Sequence, residues 1–84
     1  MNQKIRLCDL PLNKSGVIIT IDLPQSRSRR LMDVGIMEGT KLTAAFRSIS
    51  KTPIAFRINN TLIALRASDC KKILITPQNE AAYA

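Results

Sequence analysis

The side chains of this chain that could carry out acid–base, nucleophilic or metal chemistry are few and widely spaced. The sequence has no histidine, which removes the commonest general base and the commonest transition-metal ligand. Catalysis requires a nucleophile with a base, paired carboxylates, a metal site or a cofactor cradle. The carboxylates instead stand singly along the chain, at Asp9, Asp22, Asp33, Glu38, Asp69 and Glu80. We therefore expect no catalytic residues, and we expect that the protein is not an enzyme.

The cysteines and glycines offer no better site. Neither Cys8 nor Cys70 belongs to a C-x-x-C pair, and a tight metal site would need distant carboxylates to converge on them. We expect both to be structural rather than disulfide-bonded, with Cys70 packing as a small apolar side chain. Gly16, Gly35 and Gly39 do not form the G-x-x-x-x-G-K-[ST] loop that cradles phosphate. The sequence thus predicts no metal site and no cofactor.

The charge of the chain is strongly positive. Thirteen lysines and arginines against six aspartates and glutamates give a net charge of +7 on 84 residues. Such a charge attracts nucleic acid, an anionic membrane surface or an acidic protein face, but it also keeps a small protein soluble. No apolar run approaches the roughly 18 residues of a membrane-spanning helix. Residues 1–6 do not resemble a secretory signal, so we expect a cytoplasmic protein.

One helix is predicted, from Ser26 to Val34, because only this segment has both a start and a stop signal. Ser26 or Ser28 can cap its first turn, Gly35 can end it in the left-handed conformation, and Gly39 can form a tight turn into the next strand. Arginines crowd the N-terminal end, where the helix dipole disfavours cations. We therefore expect that something other than helix stability retains them.

Five short strands are predicted around this helix. The β-branched run and the alternating patterns place them at Val17–Asp22, Lys41–Arg47, Ile54–Ile58, Thr61–Arg66 and Lys72–Thr76. Before them, residues 5–12 form a short extended stretch and a turn. In the second strand, alternation places Leu42, Ala44 and Phe46 on the inward face. Asn59-Asn60 is a two-residue hairpin signal, and Ser68 can cap a single helical turn before the last strand.

These elements predict a mainly β fold: a small, partly open five-stranded barrel with one short helix between the first two strands. The chain is short enough for a single domain, which we assign to residues 1–77. Residues 78–84 have little to bury and are predicted to form a disordered tail.

Three segments resemble one family in the same order. Arg29 to Thr40 (RRLMDVGIMEGT) is similar to the R-L-x-[DE]-[LM]-G-[LI]-x-x-G segment of the FeoA family. Pro53 to Ile58 is similar to that family's P-I-x-x-x-[VI] strand, and Leu62 to Arg66 to its x-[LIV]-[AS]-L-R strand. The resemblance covers roughly residues 5–76. It departs from the pattern at Ile49 to Thr52, where family members commonly carry P-x-G-[DE] before the proline.

The resemblance implies an SH3-like barrel and a non-enzymatic accessory or regulatory role in bacterial ferrous-iron uptake. The implied partner is FeoB, a membrane transporter with a cytoplasmic GTPase domain, which would bring the protein to the inner face of the membrane without inserting it. We expect a monomer or a weak homo-oligomer. Transition-metal binding is a term of the family, but no residues of this chain suggest a site for it. The same barrel occurs in iron-dependent repressors, whose DNA-binding helix-turn-helix this chain is too short to carry.

Four residues are predicted to contact the partner: Arg29, Arg30, Met37 and Glu38. The two arginines are badly placed for helix stability, and Met37 is an apolar residue in a turn. Solvation of the arginines and core packing of Met37 are the structural alternatives. A basic small barrel could also bind nucleic acid through phosphate contacts, or a peptide in a surface groove. The scarcity of aromatic residues weighs against both of these alternatives.

Overall fold

The computed structural model describes residues 3–47 and 53–78. Its strands are β1 (Ile5–Arg6), β2 (Ser15–Ile21), β3 (Lys41–Arg47), β4 (Ile54–Ile58), β5 (Thr61–Leu65) and β6 (Ile73–Pro77). Its helices are α1 (Gln25–Asp33) and the single-turn α2 (Ala67–Cys70), and a 3₁₀ turn at Leu7–Asp9 follows β1. The predicted mainly β fold, with one nine-residue helix between two strands, is confirmed.

The six strands form one antiparallel sheet in the order β1-β6-β2-β3-β4-β5. The sheet is open, because β1 and β5 stand at its two edges. The prediction of five strands was one short. β1 pairs with β6 through Ile5 opposite Ile75 and Arg6 opposite Leu74. Two residues are too few to show an alternating pattern, so only an extended stretch was predicted there.

The core lies on one side of the curved sheet and draws on nearly every element. Its largest fully buried side chain is Phe56 on β4, and the 3₁₀ turn and the segment after α1 contribute Leu7 and Ile36. The remaining cluster members are Leu10, Ile18, Leu42, Ala44, Ile54, Ile58, Leu65, Cys70, Ile73 and Ile75. Aliphatic side chains therefore fill most of the interior, as the composition requires.

Phe46 was predicted to face inward with Leu42 and Ala44, and this prediction was wrong. The side chain of Phe46 is 54% exposed, whereas Leu42 and Ala44 are buried. The register of β3 against β4 shifts between Ala44 and Phe46, so that Ala44 pairs with Phe56 but Phe46 pairs with Ala55. One extra residue in a bulge reverses which face the following side chains occupy.

The predicted turns are confirmed by backbone geometry. Gly35 and Gly39 have φ of 96° and 90°, the left-handed conformation that ends α1 and then turns the chain towards β3. Asn59 and Asn60 have φ of 50° and 69°, and they join β4 to β5 as a two-residue hairpin that pairs residues 58 and 61. Asparagine tolerates this conformation better than other residues with a Cβ atom.

The predicted caps are not formed. α1 begins at Gln25, one residue before the predicted start, after Pro24, and no side chain caps it. The hydroxyl of Ser28 instead donates to the carbonyl of Leu23 (3.2 Å). α2 begins at Ala67 without a side-chain cap, so Ser68 lies inside the turn rather than before it. Pro24 occupies the N-cap position of α1, and its carbonyl accepts hydrogen bonds from the amides of Arg27 (3.0 Å) and Ser28 (2.9 Å).

The domain was predicted to end at residue 77, and the described structure continues one residue further. Gln78 was assigned to the tail, but its amide donates to the carbonyl of Ser15 (2.8 Å), which extends the pairing of β6 with β2 by one residue. The rest of the predicted tail, residues 79–84, and the atypical loop at residues 48–52 lie outside the described residues. No helix in the described ranges is long and apolar enough to cross a membrane.

Candidate functional site

Helix α1 makes few contacts with the rest of the domain. None of its nine residues is buried, and Leu31 is the side chain through which it packs, half-buried, against the core. The hydrogen bond from Ser28 to Leu23 and an ion pair between Arg27 and Asp69 (Nη1 to Oδ1, 3.0 Å) add polar contacts. Most of the helix surface is therefore exposed and available for a partner.

The ion pair accounts for one of the crowded arginines. Arg27 links α1 to α2, although its side chain is more than half exposed, so the pair stabilises the fold by at most about 1 kcal/mol. The side chains of Arg29 and Arg30 form no hydrogen bond or ion pair within the described ranges. Both are exposed. The predicted clash of these two arginines with the helix dipole was wrong. Because α1 runs from Gln25 to Asp33, Arg29 lies in mid-helix and Arg30 in the last turn, where the dipole favours a cation.

Arg29 and Arg30 lie together on the outer face of α1. They line a shallow groove of about 430 Å³ with Gln25, Ser26 and Asp33. Residues that are three or four positions apart share a helix face, and residues 26, 29, 30 and 33 follow that spacing. The groove combines two guanidinium groups with one carboxylate, and it suits a polar, acidic partner surface.

Met37 and Glu38 lie elsewhere, on one flank of α1. With Met32 and Ile36 they line a cleft of about 380 Å³ that also includes Ile21 and Ser28. Met37 is 41% exposed and Met32 is 54% exposed. Solvent-exposed methionines form adaptable contacts with apolar partners. We name this cleft the methionine cleft.

A compact set of hydrogen bonds holds the turn that carries Met37. The hydroxyl of Thr40 donates to the carbonyl of Gly35 (3.0 Å) and accepts from the amide of Met37 (3.3 Å). The amide of Gly39 donates to the carbonyl of Ile18 on β2 (2.7 Å), which ties the turn to the sheet. The turn therefore presents Met37 on a fixed backbone even though the helix beside it is lightly packed.

The structure thus brings the four predicted residues together only in pairs. Successive residues of an α-helix are rotated by about 100°, so Arg30 points away from the flank that carries Met32, whereas Arg29, three residues before Met32, lies beside that flank. Arg29 and Arg30 form a basic groove, and Met37 and Glu38 belong to the methionine cleft. The two surfaces adjoin through α1, and a partner that contacts both must extend across the helix.

Two exposed apolar residues near this surface were missed by the sequence prediction. Met32 lies within α1, and Val34, 51% exposed, follows its last residue. A signal was present for Met32. Leu31 and Met32 are adjacent, and adjacent helical residues cannot both face the core. Val34 could not be assigned in this way, because the helical repeat ends at Asp33.

Both cysteines are free. Cys70 is fully buried in the core cluster, as predicted, whereas Cys8 is partly exposed. Burial raises the pKa of the Cys70 thiol to about 12, and the negative charges of Cys8 and Asp69 act in the same direction. A thiol with such a pKa stays protonated and unreactive near neutral pH. In the described part of the chain, no three cysteine, aspartate or glutamate side chains are placed to hold a metal ion.

Comparisons with known proteins place this fold. The model of the FeoA domain matches residues 5–77. No match was found among curated protein sequences. The FeoA-like protein of Clostridium acetobutylicum, solved by NMR, is 29% identical with a TM-score of 0.81, over 95% of this chain and 93% of that one. The solution structure of FeoA from Chlorobium tepidum is 23% identical with a TM-score of 0.85, over 89% and 71% of the two chains.

A third similar structure is described by its fold class and contains a metal. FeoA of Stenotrophomonas maltophilia, described as a prokaryotic SH3 domain protein in complex with zinc, is 27% identical with a TM-score of 0.70, over 93% of this chain and 92% of that one. A manganese-dependent transcriptional repressor shares the fold at 16% identity and a TM-score of 0.80, and this chain covers 44% of it. The SH3-like architecture is thus confirmed. Because the family model spans nearly the whole described domain, this chain belongs to the FeoA family.

Proposed function

We propose that this protein is a non-enzymatic accessory protein of ferrous-iron uptake that acts by binding a FeoB-type GTPase transporter. The observation that carries the proposal is the FeoA domain match over residues 5–77. The S. maltophilia relative has been suggested to act as a ferrous iron transport activating factor. The protein would work at the cytoplasmic side of the membrane, held there by its partner rather than by insertion.

The surface of α1 is the part of the domain best suited to this docking. It exposes Arg29 and Arg30 without described partners, and it adjoins the exposed apolar side chains of Met32 and Met37. Protein interfaces combine an apolar centre with a polar rim, and arginine and methionine are enriched in them. The methionine cleft would supply the centre of such an interface, and the basic groove would supply its rim.

Charge reversal on the basic groove tests this assignment. The double variant Arg29→Glu/Arg30→Glu is expected to reduce co-purification with the transporter at least about tenfold, since rim charges steer association and like charges across an interface repel. Both side chains are exposed, so the urea midpoint should stay close to that of the wild type. The matched control Lys14→Glu/Arg57→Glu makes the same change in net charge at exposed sites away from α1.

The readout is the amount of transporter retained by the immobilised protein, measured by quantitative immunoblot. Loss with the helix variant and retention with the control support docking through α1. Equal retention by the two double variants would refute the role of Arg29 and Arg30. A failure of the wild-type protein to retain any transporter would overturn the proposed partner itself.

The exposure of Phe46 keeps nucleic-acid binding as a second candidate function. Phe46 and Arg57 lie on the outward face of neighbouring strands, with Ala55 between them in the register of β3 and β4. An exposed aromatic ring beside a cation can stack on a nucleobase while the cation contacts phosphate. A gel-shift titration with single-stranded and duplex DNA and RNA at two salt concentrations tests it. Binding that weakens steeply with salt supports this function, and no binding at either concentration removes it.

A further inference from the structure

The flank of α1 opposite the methionine cleft faces α2 across a small basic cleft. It has a volume of about 280 Å³ and is lined by Arg27, Arg30, Leu31, Arg66 and Asp69. We name it the arginine cleft. Three of its five lining residues are arginines. Its two sides come from segments of the chain that are more than 30 residues apart, so no local sequence motif reveals the cleft.

The cleft lies between one side of α1 and the start of α2, and local contacts position both of these segments. The ion pair from Arg27 to Asp69 (3.0 Å) joins α1 to α2. Arg30 stands one helical turn after Arg27 on the same side of α1. On the other wall, the carbonyl of Arg66 accepts hydrogen bonds from the amides of Asp69 (3.0 Å) and Cys70 (3.1 Å), which fix the backbone from which the Arg66 side chain extends. Leu31 provides an apolar floor that packs against the core.

The charges in the cleft are not balanced. Asp69 is its only carboxylate, and it is engaged by Arg27. The side chains of Arg30 and Arg66 form no hydrogen bond or ion pair with any described residue, and both residues are exposed. Two guanidinium groups therefore line a confined space beside an apolar wall without a counter-charge from the described chain. Guanidinium groups match carboxylates through paired N–H donors.

We propose that the arginine cleft binds the carboxylates of an acidic segment of a partner protein, with Arg30 and Arg66 as the binding residues. The inference rests on the proposed function, because it specifies the chemistry by which the partner is recognised. Ion-paired Asp69 positions Arg27 and also limits the negative charge that the cleft accepts. One or two glutamates of a peptide, flanked by an apolar side chain over Leu31, fit these features.

The same features disfavour nucleic acid as the occupant. Affinity for nucleic acid grows with the number of phosphates neutralised, and single strands also require stacking on aromatic rings. The cleft offers two unpaired cations, none of the described residues that line it is aromatic, and Asp69 repels an extended run of phosphates. A short acidic peptide needs only the two cations.

The test uses an acetylated peptide with two adjacent glutamates between leucines, and its glutamine counterpart as the uncharged control. We expect the glutamate peptide to shift backbone amide resonances of residues 27–31 and 66–70, with a dissociation constant in the millimolar range or below. Arg66→Gln should weaken binding at least about tenfold, because it removes one charge-assisted pair. Arg6→Gln, the same change at an exposed site on β1, should leave binding unchanged.

Three results would overturn the proposal: shifts that map away from the cleft, equal binding of the glutamine peptide, or equal binding by Arg66→Gln. Displacement of the peptide by a short oligonucleotide at equal concentration would assign the cleft to nucleic acid instead. Transporter retention is measured in parallel with Arg66→Gln. If the protein retains the transporter but does not bind the peptide, only the cleft proposal is overturned. Peptide binding by a protein that retains no transporter overturns the proposed transporter function and leaves an acidic-peptide site.

Discussion

Alkaline pH should destabilise this domain through a single buried thiol. Cys70 is fully buried in the core cluster, and its pKa is raised from the ordinary value of 9.0 to about 12, chiefly by desolvation. In the unfolded chain the thiol ionises near pH 9, whereas in the folded protein it remains protonated. A folded-state pKa above the unfolded one means that the contribution is intact below pH 9 and is lost as the pH rises from 9 towards 12.

The size of the effect follows from the two pKa values. Each unit of pKa difference corresponds to about 1.4 kcal/mol. Between pH 8 and pH 10, the free energy of unfolding should therefore fall by about 1.4 kcal/mol through Cys70 alone, and by about as much again at pH 11. The wild-type curve sums the contributions of every ionisable group, so by itself it does not isolate the thiol.

The comparison with Cys70→Ala isolates it. Urea unfolding of both proteins at pH 8 and pH 10, with reductant present, should show the stability advantage of the wild type shrinking by about 1.4 kcal/mol. Cys8→Ala is the matched control. Because Cys8 is partly exposed, this variant should keep most of the pH dependence of the wild type. A constant difference between wild type and Cys70→Ala across this range would refute the assignment.

Substitutions at two places in the sheet test the packing. Phe56→Ala should cost about 3–5 kcal/mol in urea unfolding, because Phe56 is fully buried, whereas Phe46→Ala should cost less than about 1 kcal/mol; similar costs for the two would contradict the bulge in β3. A Cβ atom on Gly16 would lie 2.8 Å from Cδ1 of buried Ile75 and 3.3 Å from the carbonyl oxygen of Thr76, so Gly16→Ala should cost about 1–3 kcal/mol. Ile75→Val removes Cδ1, and in the double variant the combined cost should be smaller than the sum of the single costs; strict additivity would exclude this clash.

The parts of the fold that local chemistry specifies were predictable from the sequence. Glycine at residues 35 and 39 and the Asn59-Asn60 pair indicated the turns, because few other residues adopt positive φ. Alternation located β3 and β4 to the residue. The face occupied by Phe46 was not predictable, since the bulge that reverses it depends on the pairing of two strands rather than on either strand alone.

The candidate site was less accessible to prediction for the same reason. The dipole rule singled out the arginines of α1, but their separation from Met37 follows from the rotation of the helix against the sheet. Arg66 lies 36 residues after Arg30 in the sequence, and only the placement of α2 brings it to the same cleft. Tertiary contacts of this separation carry no signal in a single sequence without an alignment.

The position of β6 also fixes the order in which this protein can be completed. β6 inserts between β1 and β2, so the strand synthesised last separates the two that are synthesised first. β1 can pair only after residue 75 has emerged from the ribosome, because its register partners are Leu74 and Ile75. Until then the nascent chain exposes one edge of β2 and lacks the buried Ile73 and Ile75, which makes closure of the domain a late, long-range event. The hairpin of β4 and β5 needs no such delay, since both strands and their turn are contiguous.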